Sequence, residues 1–442
     1  MIRPNLRFFD LTMIVVSMVI GIGIFRNPSI IARHAGSETI FYSAWIIGGL
    51  ISIFGALTFA EIGARLPLIG GFYKTYSFCY PPALAFTLIW GYLTVDAAAC
   101  SAVTYAGAQY IAPIVMPASW QDESGRRILF FVMIAVLFTL NFLGIRVGKH
   151  TQNLLSSIKI ILILIFCGAI FFLKPDGDAA SLPVITSHPN LFLSLGAALI
   201  AVFFSFGGYQ NTVNFGAEVH KPQHITRAII AGMLIVLILY LAINFVYVQT
   251  LGFARVQRSE LIAADLSAGL FGSYGSTIAS VAIFISILGW LNASLLFNPR
   301  VLYAMAEEGV LPRVFMRMND KKQVQEFSLA FFTLMIVVFF LALENYDNLL
   351  NYVMFNDTIV LAAAAFCIFL LRKKQQSAPY TGYRLHGYPL LPAVFILTLL
   401  IVTLNVALTD PRNALFGFIV LIAGFPIYYL AGRRAQKNRQ TP

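Results

Sequence analysis

Two ionisable side chains and two pairs of glycines stand where an apolar chain has least use for them. Lys159, in LLSSIKIILILIF, lies nine positions past His150, so about 13 Å of helix separates it from the nearer end of its segment. A charge at that depth is costly unless it is paired or faces water; the alternative is a stem that snorkels to the interface. Asp96 sits in WGYLTVDAAACSAVTYAG, among small residues that leave room for a ligand or a closely packed helix. Gly21 and Gly23 interrupt SMVIGIGIFRNPS, and Gly207 and Gly208 interrupt FFSFGGYQNTVNFGAEVHKP. A helix broken inside a membrane is tolerated only where its freed backbone groups find partners. Such a break offers the N–H groups and positive dipole end of one half-helix to a carboxylate, and the free carbonyls of the other half to an ammonium. A zwitterion with both groups on one carbon matches that arrangement. The competing use of the glycines is close helix packing.

The elements that must position these residues are membrane helices. The chain of 442 residues is 59% hydrophobic and 11% charged, with a mean hydropathy of +0.80, far more apolar than a soluble domain. Apolar runs of spanning length are predicted over 8–33, 39–64, 82–113, 127–145, 151–173, 189–217, 226–251, 273–304, 327–343, 348–371, 389–408 and 413–432. The joins 174–188, 305–326 and 372–388 are too short for an independent core. The first run continues through GIGIFRNPSIIA without a small-residue cleavage pattern, so it is expected to stay in the mature protein. With a cytoplasmic N-terminus most of the 30 lysines and arginines fall on the cytoplasmic side, which predicts both termini there and a place in the plasma (inner) membrane. That bias accounts for the net charge of +11: a basic face at anionic membrane lipid, with no nucleic-acid partner required.

Other chemistries find little support. Cys79, Cys100, Cys167 and Cys367 lie in or beside apolar runs and offer no disulfide or zinc framework. The histidines pair with no cysteine or acid at metal-ligand spacing. No nucleophile-elbow, zincin or P-loop pattern occurs. An enzyme is not expected, nor any cofactor or metal.

The two glycine breaks fall in the first and sixth runs, five spans apart. Five is odd, so the two blocks of five have opposite topology, the pattern of an inverted-repeat secondary transporter with its substrate at the midplane between discontinuous helices. The blocks are expected at 8–173 and 189–371, with two peripheral helices over 389–432. The fold class is therefore an all-α polytopic membrane protein of twelve transmembrane helices, in a 5+5 inverted repeat of LeuT type with discontinuous first and sixth helices.

IGIGIF followed by NP resembles the first-span signature of the amino acid-polyamine-organocation superfamily, specifically its L-type amino acid transporter branch. ALTFAEIGARLPLIGGFYKTY (56–76) is similar to that branch's second span and following loop, SFGGYQNTVNFGAEVHKP to its sixth span, and LNASLLFNPRVLYAMAEEGVLP (291–312) to its eighth. The likeness continues through GYPLLPAVFILTLLIVTLNVAL to GFPIYYLAG and covers nearly the whole chain. It implies sodium-independent transport of small amino acids by alternating access, as an exchanger or proton-linked symporter. The alternatives are cationic amino acids or polyamines, or a channel or sensor that binds amino acids without turnover.

Carried over by residue, the resemblance implies that Gly21, Ile22 and Gly23 receive the substrate carboxylate. Phe206, Gly207 and Gly208 supply carbonyls to its α-ammonium, and Phe204 closes over it. Lys159 takes the place where sodium-coupled relatives of the fold hold a cation, its ammonium reaching the first break near Gly21. Asp96 is a departure from the family pattern. It can recognise a cationic or hydroxylated substrate, accept a proton, or form a structural ion pair with Lys159 or Arg26. Arg26 either lines the external vestibule or snorkels. Glu61, Arg65, Glu218 and Arg300 are expected to form a cytoplasmic gate. Animal members of the branch join a single-span glycoprotein through a cysteine between spans three and four; PIVMPASWQDESGRR has none, so no disulfide-linked heavy chain is expected.

Overall fold

In the computed structural model, residues 4–173, 182–185, 190–342, 346–375, 380–409 and 411–437 are described. Helices run through them from end to end. The first apolar run forms two helices, α1 (Phe8–Val19) and α2 (Gly23–Ala35), bent by 44° at the Ile20–Gly21–Ile22 break. Next come α3 (Glu38–Arg65), a short α4 (Gly71–Cys79), α5 (Pro82–Val115), α6 (Glu123–Phe142) and α7 (Ile145–Cys167). The sixth run is α-helical only as α8 (Leu191–Ser205). It then turns at Phe206–Gly208 and continues as tighter 3-10 turns, Tyr209–Asn214 and Gly216–Glu218. The remainder comprises α9 (Gln223–Leu251), α10 (Phe253–Arg258), α11 (Ile262–Phe271), α12 (Gly275–Glu307), α13 (Glu326–Ala342), α14 (Tyr346–Lys374), α15 (Leu390–Thr409), α16 (Pro411–Ile422) and α17 (Gly424–Lys437).

Local chemistry sets several of these ends. Ser37 caps α3 by accepting from the Ile40 N–H at 3.3 Å, and Asp122 caps α6 by accepting from the Gly125 N–H at 3.0 Å. Pro82 opens α5, where its missing N–H costs nothing. Arg372, Lys373 and Lys374 close α14 at its negative dipole end.

Among the described residues, eight helices are long and apolar enough to span a membrane, nine when the bent α1–α2 pair counts as one. The shorter apolar helices Leu193–Phe203, Glu326–Ala342 and Ala414–Leu430 fill the sixth, ninth and twelfth positions of the predicted series. The short helices α4, α10 and α11 lie in joins that the apolar pattern left unassigned. Most of the 174–188 join lies outside the described residues.

Burial sorts the helices by position. The apolar window of α5 is 78% buried, against 28% for those of α7 and α15, so α5 is central while the other two face lipid along much of their length. A belt of exposed apolar side chains, including Val136, Ile161, Ile238, Leu334, Leu397 and Leu404, covers the outside. So large an apolar surface is stable only in hydrocarbon, and this is an integral membrane protein.

Candidate functional site

The two breaks meet. Gly208, with φ +115, lies so close to α1 that a Cβ built on it would stand 2.5 Å from the Met18 carbonyl oxygen. Only glycine adopts that backbone and admits that approach without strain. On the other side of the break, Asn27 of α2 donates to Ser205 Oγ at the end of α8 (2.9 Å). Gly21 differs from both: nothing lies within 4 Å of a Cβ built on it. Gly21, Ile22 and Gly23 are all partly exposed, and α2 starts at Gly23 with Ile22 before it and no side-chain cap. The open space thus lies at Gly21, just ahead of α2, while at Gly23 a Cβ would already meet Asn27 at 3.2 Å and the Phe25 N–H is given to Ile22 O.

The carbonyl end of α1 is, by contrast, fully engaged. The wholly buried Lys159 sends its Nζ to Ile20 O (2.7 Å), Ser17 Oγ (2.9 Å) and Ser17 O (3.1 Å). That satisfies the three donors of an ammonium at the negative end of a helix dipole. Tyr240 Oη of α9 donates to Val19 O at 3.1 Å. Gly289 of α12 makes room for this junction: a Cβ there would meet Lys159 Cε and Ser17 Oγ, each at 2.7 Å. Phe206 packs edge-on to Trp45 and against Tyr240, with ring centroids at 6.0 and 5.1 Å. Its ring is thus committed to the core, and in the turn Gly208 is already bonded within the segment, its carbonyl accepting from Asn211 N–H at 3.1 Å and its N–H donating to Gln210 Oε1 at 2.9 Å. Phe204 lies on α8, but its side chain is outside the described residues.

Asp96 pairs with neither Lys159 nor Arg26. Its Oδ2 accepts from Asn298 Nδ2 of α12 at 2.6 Å, with Cys100 Sγ at 3.9 Å. Asp357 of α14 lies within electrostatic reach of it. One turn before Asp96, Tyr92 Oη donates to Asn211 Oδ1 (2.9 Å), linking α5 to the stretch just past Gly208.

Beneath the breaks, toward the end of the bundle that holds Arg7, Arg65 and Glu307 (the basal end), the path is closed. Phe59, Phe72, Tyr76, Tyr92, Tyr209 and Phe297 form a continuous aromatic floor. Below it Arg300 grips Glu218 through Nε and Nη2, both at 2.7 Å, while also donating to the Leu296 carbonyl. Fully buried Glu61 holds Arg65 (2.7 Å), Arg372 (2.6 and 2.9 Å) and the Leu385 N–H (2.7 Å). Lys149 meets Asp10 at 3.1 Å. Lys74 lies between Glu307 and Glu308 at 2.7 and 3.0 Å; burial works against its ammonium, but the two carboxylates outweigh it and hold its pKa above the ordinary lysine value.

Several residues here escaped the sequence. Ser17, Tyr240, Gly289 and Asn298 are ordinary residues of membrane helices, and only folding gives them their neighbours. Asp357 did carry a signal: it is an acid inside the tenth apolar run, open to the criterion that singled out Asp96.

The chain resembles proteins of known activity along most of its length. It is 28% identical to the serine/threonine exchanger SteT of Bacillus subtilis, covering 95% of each chain. It is 25% identical to the human large neutral amino acids transporter small subunit 2, over 94% of this chain and 78% of that one. With the human cystine/glutamate transporter the identity is 26%, over 94% of this chain and 83% of that one. The family model for amino acid permeases matches residues 6–429, and the chain belongs to that family, the amino acid permeases of the amino acid-polyamine-organocation superfamily.

Proposed function

We propose that this permease moves small amino acids across the plasma membrane by alternating access, independently of sodium, as an exchanger or a proton-linked symporter. The observation that carries the reading is the junction at the end of α1. There a lysine ammonium, rather than a metal cation, occupies the carbonyls of Ser17 and Ile20. A fixed positive charge at that point removes the need for a bound Na⁺ to complete the broken helix. Gly21, Ile22 and Gly23 would receive the substrate carboxylate at the uncapped start of α2, with the carbonyls of Phe206, Gly207 and Gly208 facing the α-ammonium and Phe204 closing over it. The repeats would be 8–173 and 189–371, with 389–432 peripheral. Both termini are taken as cytoplasmic, and the protein as acting without a disulfide-linked heavy chain. The exchanger relative supports exchange over channel behaviour.

The test is uptake of a labelled amino acid panel into proteoliposomes preloaded with unlabelled amino acids, in sodium or choline buffer, with and without a proton gradient. Equal counterflow in both buffers, lost in Lys159→Ala protein that remains monodisperse, is the expected result. Strict sodium dependence would overturn the role of Lys159. Absence of flux for every amino acid would overturn the carrier.

A further inference from the structure

Every other deeply placed acid described near the bundle's axis has a cation. Asp10 has Lys149, Glu61 has Arg65 and Arg372, and Glu218 has Arg300. Asp96 and Asp357 do not: among the described residues no lysine or arginine pairs with either, although the two carboxylates are near enough to feel each other's charge. Lys159, the deepest cation, is spent on the carbonyls of α1. Around the acids the structure supplies neutral hydrogen-bonding groups and no positive charge: the side chains of Asn298, Ser294 and Cys100 are those that reach Asp96. Asn298 gives its Nδ2 to Asp96, leaving Oδ1 of the same planar amide buried and without a partner beside the carboxylate. The Tyr209 hydroxyl, within electrostatic reach of Asp357, is also buried and unpartnered, a neutral group able to donate or accept. The Tyr92 hydroxyl is already given to Asn211. Asp96 and Asp357 themselves are partly exposed, so the side chains packed around them do not seal either one in.

We propose that Asp96, Asp357 and the Asn298 carbonyl oxygen form a subsite for a protonated amine on the substrate's side chain, so that the preferred small amino acids are short diamino acids. An ammonium brings three N–H donors and the positive charge that this group of carboxylates and neutral side chains lacks. A hydroxyl brings one donor and leaves the negative charge inside the bundle uncompensated, which is the costly part. The subsite lies beside the sixth-span break, to which Tyr92 ties α5 through Asn211, while the α-ammonium has the carbonyl end of α8. The proposal rests on the carrier reading above for its orientation, and its test separates the two.

Two readouts are taken on the full-length protein: ligand-dependent thermal stabilisation in detergent, and counterflow in proteoliposomes. The probes are 2,4-diaminobutyrate against its neutral isostere norvaline, and ornithine against norleucine, at a pH where the side-chain amines are protonated. The diamino acids should bind at least about tenfold more tightly than their isosteres. Asp96→Asn and Asp357→Asn should each bring that ratio to about one, while Asp357→Glu keeps most of it. If either Asn variant fails to fold, the wild-type ratio and Asp357→Glu still decide. Equal or tighter binding of the isosteres by wild-type protein would overturn the subsite, with neutral-substrate counterflow leaving the carrier standing. Charge-selective stabilisation without flux of any amino acid would overturn the carrier and keep the subsite.

Discussion

At the scale of single residues, two glycines of the same broken region have opposite reasons to be glycine. Gly208 is fixed by the protein: its φ of +115 and the Met18 carbonyl exclude any Cβ. Gly21 is not, since a Cβ there meets nothing within 4 Å. We therefore expect Gly208→Ala to lower the unfolding free energy by about 1–3 kcal/mol, read as a drop in melting temperature. Gly21→Ala should melt within a degree or two of wild type, on the order of the surface-substitution effect, yet lose amino acid uptake, because the added methyl enters space the ligand needs. Uptake that survives Gly21→Ala would move the carboxylate site away from this break. The sequence made Gly21, Gly208, Lys159 and Asp96 conspicuous because each is costly in an apolar helix. It was silent on why the two glycines differ, which depends on contacts between spans far apart in the chain.

At the scale of elements, the structure is three helices locking the end of a fourth. α7 sends Lys159 to the carbonyls of α1, α9 sends Tyr240, and α12 leaves a gap at Gly289 for the ammonium. Gly289→Ala would press a methyl to within 2.7 Å of Lys159 Cε. The far end of a lysine can yield, so the fold should survive while the ammonium leaves its carbonyls. Transport is expected to fall by roughly tenfold or more, toward that of Lys159→Ala, with little loss of thermal stability; wild-type rates in Gly289→Ala would show that the position of the ammonium is immaterial. The spans themselves were legible from hydropathy because membrane helices need about twenty apolar residues. The collapse of the sixth run into 3-10 turns after Ser205 was not. Gln210, Asn211 and Asn214 are all buried there, and their side chains satisfy groups on α4, α5 and the turn itself, such as Phe72 N–H to Asn214 Oδ1 at 2.9 Å. Such partners exist only in the folded bundle.

At the scale of the whole molecule, the basal end is closed and the first break borders open space, so transport requires the closure to come apart. The sequence marked Glu61, Arg65, Glu218 and Arg300 as a gate. It did not show that Arg372 shares Glu61, or that the segment before α1 takes part. Asn5 and Leu6 donate their N–H groups to the Glu218 carbonyl at 2.9 and 3.0 Å, and His220 N–H returns to Leu6 O at 3.2 Å. Glu218 is thus held twice, by its side chain to Arg300 and by its backbone to the N-terminal segment. Removing one member of a buried pair costs about 3–5 kcal/mol, and that cost falls on the basally closed state alone if the pair separates when the end opens. Glu218→Gln should therefore shift the population toward basal opening. Cys100, wholly buried beside Asp96, is a native reporter of that shift once Cys79, Cys167 and Cys367 are replaced by serine. In inside-out vesicles a membrane-impermeant thiol reagent should label Cys100 several-fold faster in Glu218→Gln than in the parent, and deletion of the residues before Phe8 should act in the same direction. Faster labelling only in right-side-out vesicles would place the basal end outside the cell and reverse the proposed orientation. Unchanged labelling from both faces would mean that the Glu218–Arg300 pair stays intact throughout the cycle and is scaffold rather than gate.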